Sequence, residues 1–273
     1  MKQESLAYFS MNKADFKLKG LVVPVTTPFA DDDSIDFGAY LSHLDWLAEC
    51  GVRNLLVNGT TGEFFSLTPE EQLELLRVSR EAWKGTLIFH LGDTALSQTL
   101  ETAHKAQEAG ADFIASLPPF YFANAPSDGM VEWFSRLSLE SDLPLILYNF
   151  PKHTGNSLTP EILEKILHWG LKDSSGDLSL ILSTPAYFVG GDRKISDAYA
   201  EGAKGFVSAS SNIDPLPYLR IETSQVPENQ AAVNAVNSRT SGPFAIANIK
   251  QALSEILPGY PAAVRPPLCS SRV

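Results

Sequence analysis

The sequence predicts an α/β fold, a (β/α)8 TIM barrel with a C-terminal helical extension, and three observations carry that prediction. Short apolar runs of strand length recur eight times between Gly20 and Ser208, separated by stretches with helical apolar spacing. A weak repeat supports the count. In Gly51-Val52-Arg53-Asn54, Gly110-Ala111-Asp112-Phe113 and Gly202-Ala203-Lys204-Gly205 a glycine that ends a helix precedes an apolar strand by two or three residues, and Gly170-Leu171-Lys172 echoes them. The length of 273 residues accommodates the roughly 250 that such a barrel needs. The structural rival is an open doubly wound sheet. It is disfavoured because no glycine-rich fingerprint follows the first strand and no midpoint crossover is visible.

Taken in order, Gly20 to Phe29 reads as the first buried strand, followed by the acidic turn Asp31 to Asp33. Phe37, Tyr40, Leu41, Leu44, Leu47 and Ala48 then keep helical spacing up to Gly51. Asn54 to Val57 is the second strand and breaks at Asn58-Gly59-Thr60-Thr61-Gly62-Glu63. Thr68-Pro69-Glu70-Glu71 opens a helix with N-cap, proline and capping-box glutamate in register. Leu87 to Leu91 is the third strand and 94–109 its helix. Phe113 to Leu117 is the fourth, broken by Pro118-Pro119, with Met130 to Leu139 helical. Leu145 to Leu147 ends at Tyr148-Asn149-Phe150-Pro151. A helix starting at Thr159-Pro160 and ending at Gly170 leads to the sixth strand, which carries Lys172. Tyr187 to Val189 and Phe206 to Ser208 complete eight, with the sixth and seventh helices stunted by short spacing. The domain reading is thus a tail over 1–19, a barrel over 20–222 and an extension over 223–273. In the extension Ala245, Ile246, Ile249, Ala252, Leu253 and Ile256 form an apolar stripe, and 258–273 is proline-rich and irregular.

Hydrophobic content of 44% and charged content of 19% are those of an ordinary globular protein. A net charge of −11 argues against nucleic acid and anionic membranes, both of which need a basic footprint. Cys50 and Cys269 read as reduced thiols of a cytoplasmic protein. Residues 1–19 lack the apolar core of a signal peptide, and no apolar run approaches transmembrane length. No cofactor and no metal is expected. His90 and Asp93 end the third strand, but no third ligand accompanies them, so they read as pocket wall. His43, His104 and His168 read as solvent-facing helix residues, and Glu63 either orients the turn before it or is an exposed charge.

In a barrel of this kind the strand C-termini form the active face. Three polar features converge there: Thr60-Thr61-Gly62 after strand two, Tyr148 at the end of strand five and Lys172 in strand six. An amine in an apolar barrel is driven toward its neutral, nucleophilic form and can attack a ketone to give a Schiff base. The iminium then takes up the electrons of an adjacent carbon–carbon bond, and a neighbouring phenol can move the protons. A turn with backbone N–H groups and hydroxyls suits a carboxylate beside that ketone. The bland alternative is a lysine reaching out of the strand past a packed tyrosine.

Three motifs stand in order at strand ends: Gly59-Thr60-Thr61-Gly62-Glu63, Leu147-Tyr148-Asn149-Phe150-Pro151 with Thr154-Gly155, and Gly170-Leu171-Lys172-Asp173-Ser174-Ser175-Gly176. Over about residues 18 to 222 the chain resembles the dihydrodipicolinate synthase / N-acetylneuraminate lyase family of pyruvate-dependent class I aldolases. The resemblance implies that Lys172 forms the Schiff base and Tyr148 relays protons. It implies that Thr60 and Thr61 bind the pyruvate carboxylate, and that Tyr121 is lent to the site of a neighbouring subunit in a dimer or tetramer. It further implies that Gly191 and Val207 line the pocket through their backbone.

Departures from the family pattern bear on the substrate. Where the synthase carries an arginine before Thr-Gly for its aldehyde's carboxylate, this chain has His153, a weaker and pH-dependent anion partner. Asp192 matches an acidic substrate-binding position of the lyase branch, but the following acidic position is Arg193. The compact stretch from Lys172 to Gly205, with Gly259-Tyr260-Pro261 and Arg265-Pro266-Pro267, is similar to 2-keto-3-deoxy sugar acid aldolases. The expected activity is therefore a class I lyase that joins pyruvate to an aldehyde, or cleaves the resulting 2-oxo acid, with a 2-keto-3-deoxy sugar acid as substrate. The alternatives are the synthase reaction, condensing pyruvate with aspartate semialdehyde, and a non-catalytic 2-oxo acid sensor. A sensor needs no nucleophile, which disfavours the last.

Overall fold

The computed structural model describes residues 16–270, so most of the expected N-terminal tail lies outside it. Eight parallel strands close on themselves in sequence order. They are β1 (Gly20–Pro24), β2 (Asn54–Val57), β3 (Thr86–Leu91), β4 (Phe113–Ser116), β5 (Leu145–Asn149), β6 (Gly170–Asp173), β7 (Tyr187–Val189) and β8 (Gly205–Val207). β1 pairs with β8 as well as β2, which shuts the barrel. The first strand stops at Pro24 rather than running to Phe29, because Pro28 and Phe29 belong to a turn bridged to Ile35.

Each strand splits its side chains between two cores, as period-two geometry requires. Val22, Leu56, Ile88, Phe113, Ala115, Ile146, Phe188 and Val207 fill the barrel interior together with Leu18. Leu21, Val23, Leu55, Leu87, Phe89, Ile114, Leu145, Leu147, Leu171 and Phe206 face outward onto the helices. Both faces are buried, so the strands read as unbroken apolar runs.

The helical layer comprises α1 (Phe37–Glu49), α2 (Pro69–Ala82), α3 (Leu96–Glu108), α4 (Ser127–Glu140), the single turns α5 (Pro151–Thr154) and α6 (Pro160–Leu163), and α7 (Ile195–Ala200). Asp36 caps α1 by accepting from the Ala39 N–H, and Thr68 and Glu71 form the expected reciprocal capping box of α2. The helix expected up to Gly170 is cut to one turn, and Gly170 starts β6 instead of ending a helix. Its glycine is needed because a Cβ there would lie 2.7 Å from the Ala186 carbonyl oxygen of the adjoining strand. Only a 3-10 turn, Ile181–Ser183, separates β6 from β7, in line with the stunted unit the spacing predicts.

After β8 come α8 (Leu216–Thr223), α9 (Pro227–Thr240) and α10 (Ala245–Ile256). The buried face of α10 contains Ala247, Ile249, Ala252, Leu253 and, among them, Lys250. This differs from the purely apolar stripe the sequence suggests. The segment beyond α10 has no regular structure but is docked: Tyr260 is buried and its hydroxyl lies 2.6 Å from Thr26 Oγ1.

Candidate active site

Tyr148 and Lys172 are register partners across β5 and β6, so their side chains leave the sheet on the same, inner face. The Lys172 Nζ sits 3.7 Å from the centroid of the Tyr148 ring. Both side chains are buried, above the apolar interior layer of the barrel. Among the described strands Lys172 is the one lysine or arginine. The Tyr148 hydroxyl is 3.3 Å from Thr60 Oγ1, which joins strand five to the turn after strand two. Phe64, Leu117, Phe120 and Phe150 pack round Tyr148 and shield it from solvent. A primary amine, a phenol and a hydroxyl-bearing turn at one barrel mouth are the parts that imine chemistry on a 2-oxo acid requires.

The turn is tightly determined. The Gly62 N–H donates to the Gly59 carbonyl at 3.0 Å and the Glu63 N–H to the Thr60 carbonyl at 3.1 Å, while Thr27 Oγ1 donates to the Gly62 carbonyl at 2.8 Å. Asn58 enters the turn at φ +60° and Glu63 leaves it at φ +59°, left-handed conformations that cost non-glycine residues free energy and persist only when neighbours hold them. Asn58 is held by Nδ2, which donates to the Gln72 side-chain carbonyl and to the His90 carbonyl.

His90, expected in the pocket wall, is wholly buried on β3 with its ring edge-on to Phe64 and Tyr148. Its Nδ1 donates to the Asn58 carbonyl at 3.0 Å, since a carbonyl can only accept. Burial, helped by the positive charge of Lys172, pushes the imidazole down to about 3, so it is neutral at ordinary pH. Asp93 turns to its own backbone, accepting from the Ala95 N–H.

Two residues escaped the sequence reading although they stand within its motifs. Asn149 and Asp173, one position beyond Tyr148 and Lys172, face out of the barrel. Asn149 Nδ2 donates to Asp173 Oδ1 at 2.9 Å, and Asp173 also accepts from the Tyr187 hydroxyl and the Ser175 N–H. This ties the ends of β5, β6 and β7 and fixes the register that sets amine against phenol. The available signal was a polar residue at each strand end on the face opposite the chemistry.

The remaining expected residues are dispersed. Thr61 and Gly62 are buried in the turn, and Val207 lies in the interior layer. Gly191 is exposed at the end of β7. Asp192 is buried, but its carboxylate accepts from the Tyr218 hydroxyl at 2.8 Å and from Asn237 Nδ2 at 2.9 Å, so it braces α8 and α9. Burial pushes its carboxyl above the usual range. Arg193 is exposed. His153 is exposed and tilted against Phe150, with ring centroids 4.1 Å apart, and desolvation aided by Lys152 lowers it from the ordinary histidine value. Tyr121 is 97% exposed and adopts φ +76°.

The sequence expectations for His43 and His168 are corrected, and of the two readings of Glu63 one is overturned. His43 is not solvent-facing but fully buried, its Nε2 3.3 Å from the Asn212 carbonyl. His168 lies off any helix, half-buried, held by Ile166 and Thr184. Glu63 is no exposed charge: it is fully buried and ion-paired with Lys250. His104 is exposed on α3 as expected. No group of three or more histidine, cysteine or acidic side chains poised to hold a metal occurs among the described residues, and none of their helices is long and apolar enough to cross a membrane.

The family model described as the dihydrodipicolinate synthetase family matches residues 17–268. An uncharacterized DapA-like lyase of Thermococcus kodakarensis is 32% identical over 222 residues, covering 75% of each chain. A 4-hydroxy-tetrahydrodipicolinate synthase of Archaeoglobus fulgidus is 31% identical, over 72% of this chain and 71% of that one. Among solved structures, the 2-keto-3-deoxygluconate (KDG) aldolase of Sulfolobus sulfataricus in complex with D-KDPG superposes with a TM-score of 0.84 at 26% identity, over 92% of this chain and 90% of that one.

Proposed function

The chain belongs to the dihydrodipicolinate synthetase family, and from that premise we propose that it cleaves or forms a 2-keto-3-deoxy sugar acid through a pyruvate imine on Lys172. Family members are pyruvate-dependent class I aldolases. The observation that carries the reading is the Lys172 Nζ held against Tyr148, whose hydroxyl in turn meets Thr60.

In the cleavage direction the amine attacks the substrate's C2 carbonyl, and loss of water gives a protonated imine. Tyr148 gives its phenolic proton to the hydroxyl that leaves as water, and as phenolate it takes the proton of the C4 hydroxyl as the C3–C4 bond breaks. The bonding pair moves into the iminium to form an enamine, and the aldehyde leaves. Protonation of the enamine at C3 and addition of water then release pyruvate and regenerate the amine. Thr60, Thr61 and the backbone N–H groups of their turn hold the carboxylate, orienting C2 toward Lys172. Gly191 and Val207 line the pocket, the exposed Arg193 meets the aldehyde portion, Asp192 keeps to bracing α8 and α9 behind it, and Tyr121 reaches the site of a second copy of the chain. The exposure of Tyr121 at 97% supports that last role, because a large aromatic side chain is rarely left so bare.

The preference for a sugar acid is supported by His153, which is held neutral where a synthase needs a permanent cation, and by the likeness to an aldolase whose structure contains D-KDPG. The competing reading is condensation of pyruvate with aspartate semialdehyde, favoured by curated relatives named 4-hydroxy-tetrahydrodipicolinate synthase. Borohydride reduction in the presence of pyruvate tests the shared half of both readings. The Lys172 peptide gains the mass of a reduced pyruvyl group if the reading is right and stays unmodified if it is wrong.

A further inference from the structure

We propose that Glu63, Lys250 and Arg265 are positioning residues, through which the C-terminal extension sets how well the Thr60-Thr61-Gly62 turn holds the substrate carboxylate. The inference rests on the reading of that turn as the pyruvate carboxylate site.

Glu63 is the residue at which the turn ends, and its backbone N–H closes back onto Thr60. Moving its side chain therefore moves the turn. Its two carboxylate oxygens are held by separate parts of the extension: Oε1 pairs with the Lys250 ammonium from α10, and Oε2 accepts from the Arg265 N–H at 3.0 Å. Lys250 has no exposed surface and also donates to the Ala263 carbonyl at 2.7 Å. Phe29 is flanked by both cations, with Lys250 Nζ and Arg265 Cζ each 4.2 Å from its ring centroid. Arg265 then clamps the start of α2, its guanidinium donating to both Glu71 oxygens and to the Ser66 carbonyl. One strap thus fixes the turn and the helix that follows it.

Stability alone does not call for this arrangement. Two fully buried charges give up their hydration, and an apolar pair of similar volume commonly stabilises a fold as well or better. What the ion pair and the Arg265 N–H add is direction, since they locate one carboxylate from two sides. The left-handed backbone at Glu63 needs such restraint. The Lys172 amine faces the Tyr148 ring and the Tyr148 hydroxyl meets Thr60, so the three residues act on the site through the turn.

The test uses the full chain, borohydride trapping at Lys172 and two ketones, pyruvate and acetone, the latter without a carboxylate. In the Glu63→Gln/Lys250→Met double variant the half-saturating pyruvate concentration is expected to rise about tenfold, the scale of one hydrogen bond to a charged group. Maximal labelling and the acetone dependence are expected to stay as in the wild type. Should the double variant not fold, Glu63→Gln alone serves instead: it removes the charge that Lys250 pairs with, and about a threefold rise is expected for pyruvate only. A folded variant with unchanged pyruvate half-saturation overturns the inference. So does an equal loss with both ketones, which would make the strap a support for the barrel alone. A wild-type protein that never labels Lys172 overturns the pyruvate reading itself, and the inference with it.

Discussion

The Lys172 ammonium lies over the face of the Tyr148 ring, 3.7 Å from its centroid, while the Tyr148 hydroxyl is within 3.3 Å of Thr60. Face and edge of one tyrosine therefore serve different partners. The π face stabilises the charged amine by roughly 0.5–2 kcal/mol. The hydroxyl stays beside the turn, where the proposed mechanism needs a group that gives and takes protons.

Replacing the amine removes the nucleophile without emptying the site. Lys172→Arg is expected to keep the fold and a cation over Tyr148, because a guanidinium stacks on aromatic rings. It stays protonated and cannot attack, so turnover and borohydride labelling should both vanish. Residual labelling elsewhere in the chain, at wild-type rate, would move the chemistry to another lysine.

Tyr148→Phe retains the ring face and loses only the hydroxyl. Pyruvate should still bind and label Lys172, whereas turnover should drop about 10²–10⁴-fold, the scale of a lost general acid–base. A mutant turning over at near wild-type rate would show that the tyrosine only packs.

Buried histidines predict the acid side of the stability profile. Desolvation lowers His43 to about 4, against about 6.5 when unfolded. The folded state thus binds its proton at lower pH than the unfolded chain. The stabilisation is complete above pH 6.5 and is lost as pH falls from there to about 4, amounting to about 3 kcal/mol. His90, lowered to about 3, adds to the loss over the same interval and below it. Urea midpoints measured at pH 7.5 and 4.5 should differ less in His43→Gln than in the wild type. An unchanged difference would remove His43 as a cause.

The contrast between what could and could not be read beforehand follows from range. The eight strands, the capping box at Thr68 and the pairing of Tyr148 with Lys172 are set by spacing and local chemistry, which a linear chain displays. The burial of His43 and Lys250 is set by partners 169 and 187 positions away, Asn212 and Glu63, which no local pattern announces. Gly170 misled for a related reason. A glycine that ends a helix and one that lets two strands approach look alike until the neighbouring Ala186 carbonyl is in place. Asn149 and Asp173 were visible as polar strand ends, but their mutual bond depends on the register of β5 against β6.

Substrate choice is the sharpest prediction. A second carboxylate on the aldehyde calls for a fixed cation, best supplied by a guanidinium making two parallel hydrogen bonds. His153 offers an imidazole lowered by desolvation and by Lys152, hence neutral at pH 7.5 and limited to one such bond. The cleavage of 2-keto-3-deoxygluconate is therefore expected to exceed condensation with aspartate semialdehyde in kcat/KM when both are measured on one preparation. Arg193, exposed beyond β7, is the cation that could reverse this order. If it does so, Arg193→Ala should abolish use of the charged aldehyde while leaving pyruvate labelling of Lys172 intact. A clear preference for aspartate semialdehyde that survives Arg193→Ala would defeat the sugar acid assignment and leave the pyruvate half-site standing by itself.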